Sequence, residues 1–278
     1  MGTPWDRAAA SYLEEWVPRF VPYHLDLIGE LTLHDGDRVL VTSSGPGSEV
    51  LAVARAVGPS GFVRATDKSA EMVRICREQM DRARLGTPVE CVQADAGDAS
   101  GGPWDTVVCA FGLWQLDARA EVVRAWARSL ARKGKVGVVT WGPSDPGEAF
   151  ERLAACLREL EPDYAVPTPH IDATREAMAA MFADAGLTMV RHTVVRHTLS
   201  FASAEAFVKA MREACTWRRV WEELGDARLE RVAARFYDHA GGPGAPVSFD
   251  PPATIAIATL PGAEVELENR PSVRVPRG

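Results

Sequence analysis

The sequence predicts an α/β fold, doubly wound around a mostly parallel seven-stranded sheet, on three observations. Between Arg38 and Thr140, short β-branched runs alternate with helix-length amphipathic stretches. The stretch VLVTSSGPGSEVLAVARAVG, residues 39–58, passes from a buried strand through glycines into a helix. Two further strand-like runs, LTMVRHTVVRHTLSF and ATIAIATL, stand on either side of a helical insertion at 203–240.

RVLVTS reads as the first strand. SEVLAVARAVG is its helix, with Val50, Leu51, Ala54 and Val57 at near-helical spacing and Gly58 as the stop. GFVRATD gives the second strand, and SAEMVRICREQMDRARLG the second helix, with Ser69 as N-cap and Gly86 at its end. PVECVQAD makes the third strand, WDTVVCAFGL the fourth, DARAEVVRAWARSLARKG a helix and KVGVVTW the fifth strand. GPSDPG follows as a loop on the ligand-facing end of the sheet. Helices are expected at 147–160 and 172–186, with an irregular lid segment at 161–170. LTMVRHTVVRHTLSF then reads as one long strand, 203–240 as two helical pieces, and RPSVRVPRG as a frayed tail. The α/β core is therefore expected to span 36–202 and 241–262, with 203–240 inserted and 263–278 as the tail.

A chain of 278 residues, 46% hydrophobic and 25% charged, has the totals of an ordinary globular protein and can bury a large core without staples. The net charge of −7 and the scattered basic residues argue against a nucleic-acid partner. The five cysteines show neither CxxC nor Cys/His spacing, so no metal site or disulfide framework is expected. The opening MGTPWDRAAASYLEEW lacks a basic region followed by an apolar one, and no later stretch approaches a membrane span. These features predict a cytoplasmic protein with no membrane partner, as a monomer or homodimer.

The glycine turn carries the first functional signal. Gly45 and Gly47 permit a tight strand-to-helix turn, bring bare backbone close to a ligand, and open onto the unpaired N–H groups of a helix start. The third glycine or alanine of a dinucleotide fingerprint is absent, since Val50 stands in its place, which argues against NAD. Asp67, at the end of the second strand, is positioned to accept two hydrogen bonds from a ribose diol, and Asp95 to accept one from an exocyclic amine.

The glycine turn, Asp67, Asp95 and the fourth strand's WDTVV come in the order and spacing of the class I S-adenosylmethionine-dependent methyltransferases, which the chain resembles from roughly Trp5 to Leu260. The branch of ubiquinone and menaquinone biosynthesis and natural-product methyltransferases looks most similar. The resemblance implies a Rossmann-like fold, S-adenosylmethionine as cofactor, and an N-terminal helical flap over residues 1–35. It implies that Gly45 and Gly47 line the cofactor's methionine and ribose end, and that Asp67 binds both ribose hydroxyls. Lys68 and Met72 would then pack beside the adenine, Asp95 and Ala96 would meet its amine and ring, and Phe111 would underlie the methionine portion. Tyr12, in WDRAAASYLEEW, would lie across the methionine carboxylate.

Relatives usually read V-L-D-hydrophobic-G-x-G-x-G where residues 39–47 here read VLVTSSGPG. Val41 replaces the acidic residue that helps hold the cofactor's amino group, and Ser43 adds a Cβ where glycine is usual. Losing one charged hydrogen bond costs about 1.5–3 kcal/mol, roughly ten- to a hundred-fold in affinity, unless the hydroxyls of Thr42, Ser43 and Ser44 offset it. Thr42 and Ser43 are therefore counted among the expected cofactor contacts.

Methyl transfer from a sulfonium is an in-line displacement, so alignment is the main task and a base serves only acceptors that must lose a proton. His170, on the lid, and His24, in the flap, are the histidines best placed for that role. Trp16, Trp114 and Trp141 are expected to wall an apolar acceptor pocket, since the flap and the ends of strands four and five converge there. The expected reaction is methyl transfer to an O, N or C atom of a small, largely apolar secondary metabolite. The alternative, motivated by Val41 and Ser43, is a cyclisation, rearrangement or decarboxylation on the same fold.

Overall fold

A computed structural model of the chain describes residues 3–143, 145–166, 171–213 and 215–263. The N-terminal segment is helical: α1 (Pro4–Ser11), a π-type turn at Tyr12–Trp16, and α2 (Val17–Leu31). Five strands follow with their helices: β1 (Arg38–Thr42), α3 (Ser48–Val57), β2 (Phe62–Asp67), α4 (Ala70–Ala83), β3 (Val89–Gln93), β4 (Trp104–Ala110), α5 (Arg119–Ser129) and β5 (Leu130–Trp141). Then come α6 (Ala149–Leu160), α7 (Arg175–Asp184), β6 (Thr188–Arg196), β7 (Leu199–Phe201), α8 (Ala204–Glu213), α9 (Cys215–Leu224), α10 (Asp226–Ala240), β8 (Val247–Phe249) and β9 (Pro252–Thr259).

Seven strands form one sheet in the order β3-β2-β1-β4-β5-β9-β6. Neighbours from β3 to β5 are parallel, and β9 runs antiparallel to both β5 and β6. Strand order reverses between β1 and β4, which opens a crevice beyond their carboxyl ends where ligands bind in doubly wound sheets.

The alternation of the strands produces two cores. Leu40, Val107, Val138, Ala256 and Ala258 face one side with Val123 and Trp126 of α5 and Met178 and Phe182 of α7. Val39, Val41, Val108, Val139, Ile255 and Ile257 face the other, with Leu27 and Leu31 of α2, Val50 and Val53 of α3, and Leu153 and Leu157 of α6. Complete burial of β9 explains its run of Ala, Ile and Thr: both faces pack, so no polar alternation survives.

Four expectations need correction. The second helix ends at Ala83 with Arg84 in the left-handed region, so Gly86 lies beyond its cap. β5 begins at Leu130, paired with Trp104, where the sequence suggested continued helix to Gly134. The run 187–201 breaks after Arg196, because the Tyr23 hydroxyl of α2 accepts the His197 N–H (3.1 Å) and donates to Pro251 O (2.8 Å), pinning the chain as it leaves the sheet. The insertion holds three helices, with Gly225 (φ 81°) between α9 and α10, and it is bracketed by β7 and β8, which pair antiparallel in a small second sheet.

The flap is fastened at both sides of the crevice. Asp6 accepts from Ser69 Oγ (2.5 Å) and from the Glu71 N–H (3.1 Å), giving α4 a capping carboxylate from another helix. Trp5 Nε1 donates to Gln115 Oε1 (3.1 Å), Arg7 pairs with Glu222 of α9 (3.1 Å), and Trp16 Nε1 donates to Ala210 O of α8 (3.2 Å).

Candidate functional site

At the end of β1 the backbone turns through Ser43 (φ 50°), Gly45 (φ 50°) and Gly47 (φ 93°). Gly47 is required twice over, by its positive φ and because a Cβ there would stand 2.6 Å from Cys76 Sγ. Ser43 holds a left-handed conformation that favours glycine, at about 1–2 kcal/mol. Its Cβ is accommodated from across the crevice: a Cβ on Gly112 would lie 2.5 Å from that of Ser43. Thus the glycine relatives carry at the turn is matched here by bare backbone after β4. Phe111, beside Gly112, is also left-handed (φ 54°). Two such residues facing one crevice mark a functional lip.

The turn is tied to β2 by Asp67, whose Oδ2 accepts the Gly45 N–H (2.9 Å) and whose Oδ1 accepts the Ser69 N–H (2.8 Å). Burial raises the Asp67 pKa, and the backbone amides of Ser69, Gly45 and Lys68 oppose that shift.

A cavity of about 360 Å³ opens here. Ser43, Gly45, Ala110, Phe111 and Gly112 line it from the ends of β1 and β4, and Asp67, Lys68, Met72, Asp95 and Ala96 from β2, α4 and the segment after β3. Tyr12 and Trp5 cover it from the flap, and Gln115 closes the strap to Trp5. Asp95 turns its own loop by accepting the Gly97 N–H (3.0 Å), and Trp126 Nε1 holds Ala96 O (2.7 Å). An adenosine fits this chemistry: two carboxylates for its diol and amine, Met72 and Ala96 for its ring, and bare backbone for its extended tail.

Under the flap lies a second polar group, of which the sequence flagged only His24. Ser48 Oγ, in the first turn of α3, is 2.9 Å from His24 Nδ1 and donates to Glu49 Oε2 (3.0 Å), while His24 and Glu49 are 3.7 Å apart. Glu49 is 3% exposed, and burial pushes its pKa up to about 8. Burial alone lowers that of His24 to about 4, so its ring is neutral at pH 7. The Tyr12 hydroxyl is raised by burial and by the charges of Glu49 and Asp67.

Nine of the eleven expected cofactor contacts line the cavity; Thr42 and Gly47 do not. Thr42 is buried in β1, and Gly47 packs behind the turn against Cys76. His24 is buried beneath the cavity rather than lining it. His170 lies outside the described residues, as does most of the expected tail. None of the three tryptophans lines the cavity: Trp16 and Trp141 join Phe20, Phe150 and Phe111 in an aromatic cluster alongside it. Trp114 sits in the turn after β4, its indole N–H without a partner among the described residues. Sequence reading did not place Trp5, Gly112, Gln115 or Glu49 among the site residues. An indole opposite an amide across 110 positions gives no local signal. Among the described residues no cluster has metal-ligand character, and no helix is long and apolar enough to cross a membrane.

Residues 39–134 match a family described as a methyltransferase domain. The ubiquinone/menaquinone biosynthesis C-methyltransferase UbiE of Bordetella parapertussis is 26% identical over 177 residues, 59% of this chain and 69% of that protein. Among solved structures, a SAM-dependent methyltransferase from Aquifex aeolicus superimposes with a TM-score of 0.53 at 17% identity, over 67% of this chain and 91% of that one. The [4+2]-cyclase SpnF superimposes with a TM-score of 0.56 at 16% identity, over 89% and 83%. The sheet order and the crevice with its two carboxylates agree with that match: residues 39–134 form a methyltransferase domain, on the Rossmann-like fold that these solved structures share.

Proposed function

We propose that the protein transfers a methyl group from S-adenosylmethionine to an O, N or C atom of a small, largely apolar secondary metabolite. The observation that carries this reading is Phe111, which lines the cofactor cavity on one side and joins an aromatic cluster on the other. Its ring lies 4.4 Å from Trp141 and 5.2 Å from Phe20. Trp16 and Phe150 extend the cluster to the helical cap. Phe111 offers an apolar acceptor a ring at the cavity wall, and the buried cluster behind it holds that ring in place.

In this reading Asp67 accepts from both ribose hydroxyls, Asp95 and Ala96 meet the adenine edge, and Lys68 and Met72 flank its ring. Gly45 lets the chain approach closely, Ser43 adds a hydroxyl at the lip, and Tyr12 covers the amino-acid tail. When bound, the cofactor supplies an electrophilic methyl on a sulfonium, and the protein's task is to align an acceptor with it and exclude water. The Trp5–Gln115 strap and the Asp6 clamp serve that exclusion. His24, neutral and committed to Ser48, is a poor proton acceptor at pH 7, which leaves His170 as the proposed base for acceptors that need one. We assign the protein to the cytoplasm, as a monomer or homodimer.

The test is calorimetry with S-adenosylmethionine, then labelled-methyl transfer to a panel of phenolic, carboxylic and terpenoid metabolites. Binding with turnover of at least one apolar acceptor is expected. No heat at millimolar ligand would reject the cofactor site. Binding without any transfer across the panel would redirect the assignment to a cyclisation or rearrangement in the same pocket.

A further inference from the structure

We propose that Glu49, oriented by Ser48 and His24, forms the binding site for the ammonium of the cofactor's amino-acid tail, a role that Val41 cannot fill. The inference rests on the cofactor assignment above and adds to it the residue that recognises the tail's positive charge.

Three observations support it. First, the end of β1 offers no charge: Val41 is 0% exposed, packed in the core, and carries no polar side-chain atom. Second, Glu49 is a buried carboxylate without a cation. Among the described residues no lysine or arginine pairs with it, and its polar side-chain contacts include the Ser48 hydroxyl and the neutral His24 ring. An ionised carboxylate in such a place is costly until a positive charge arrives. Third, the carboxylate lies behind the glycine end of the cavity wall, next to residues that line it, without lining it itself. It follows the glycine turn directly, its charge acts on Tyr12 and Asp67, and His24 beside it is 5.8 Å from the Phe111 ring. Tyr12, Asp67 and Phe111 all line the cavity.

The hydrogen-bond chain explains why three residues are needed. With Glu49 ionised, Ser48 donates to Oε2 and must itself receive a hydrogen bond from His24 Nδ1, which fixes one tautomer of the neutral ring. Each residue orients the next, and one carboxylate oxygen is held so that the group cannot swing away from the ligand. The tail's ammonium would bring the charge that the site lacks.

The experiment compares two ligands that share the adenosine but not the amino acid: S-adenosylhomocysteine and 5′-methylthioadenosine. Titration calorimetry is run at pH 7.5 on wild type, Glu49→Gln, Ser48→Ala and Asp67→Asn. Glu49→Gln keeps the shape and removes the charge, so the protein is expected to fold; its thermal transition checks this. The proposal expects Glu49→Gln to weaken S-adenosylhomocysteine about 10- to 100-fold and 5′-methylthioadenosine less than about twofold. Ser48→Ala should show the same selectivity with a smaller loss, and Asp67→Asn should weaken both ligands alike. Equal losses for both ligands in Glu49→Gln, or no loss for either, would overturn the proposal. Wild-type protein that binds neither ligand would instead overturn the cofactor assignment on which it rests.

Discussion

The two halves of the crevice are built on different principles. On the proposed adenosine side the candidate groups come from the ends of two strands: Asp67 closes β2, Asp95 follows β3 by two residues, and each bonds its own loop backbone. On the tail side the usual acid and the usual glycine are both missing from β1. In the proposed assignment their functions fall to residues from other elements: Gly112 leaves room for Ser43, and Glu49 of α3 supplies the carboxylate. Where a strand end supplies a group, its place in the sequence reveals it. Where packing supplies it, only the fold does.

The largest effect should break the adenosine side. Asp67→Ala removes a ribose acceptor and releases the Gly45 N–H, so cofactor affinity should fall by about 100-fold, equivalent to about 3 kcal/mol, in calorimetry. Gly112→Ala tests the compensation on the tail side. Its Cβ would lie 2.5 Å from that of Ser43, and overpacking there should cost about 1–3 kcal/mol in chemical denaturation. Adding Ser43→Gly should recover most of that loss in a double-mutant cycle, and strict additivity would refute the pairing.

The charge of Glu49 sharpens the contrast through pH. Its folded value of about 8 lies above the ordinary 4.5, so the native state retains a proton that the unfolded chain has lost. Ligand-free stability should therefore decline as pH rises from 4.5 to about 8, a slope absent in Glu49→Gln. His24 acts in the opposite sense, since its lowered value costs stability as pH falls from 6.5 toward about 4. Affinity for S-adenosylhomocysteine should drop about tenfold per pH unit below the Glu49 value, while that for 5′-methylthioadenosine stays flat. The groups around this carboxylate are Tyr12, His24, Asp67, Cys76 and Cys109, and the first three are the ones whose substitution should move the profile. Smallest of all, Ser43→Gly alone should stabilise the protein by about 1 kcal/mol by relieving its left-handed backbone.

The centre of the sheet was legible because β1, β4, β5 and β9 are largely buried on both faces, with helices between the parallel strands. Ser69, for example, accepts the Met72 N–H as the N-cap its position suggested. The three-residue strands β7 and β8 were not legible, being too short to show a period. Glu49 reads in sequence as an acidic residue complementing a helix start, and its burial arises only when α2 lays His24 against α3. Trp16 and Trp141 were recognised as aromatics near the site, yet their partners, Phe20 and Phe150, come from elements whose mutual packing no local pattern encodes.

A crystal structure with S-adenosylhomocysteine bound tests the whole account most directly. It should show both ribose hydroxyls on the Asp67 carboxylate and the amino-acid nitrogen within hydrogen-bond distance of Glu49. A ribose seated elsewhere, or a tail nitrogen turned away from Glu49, would contradict it.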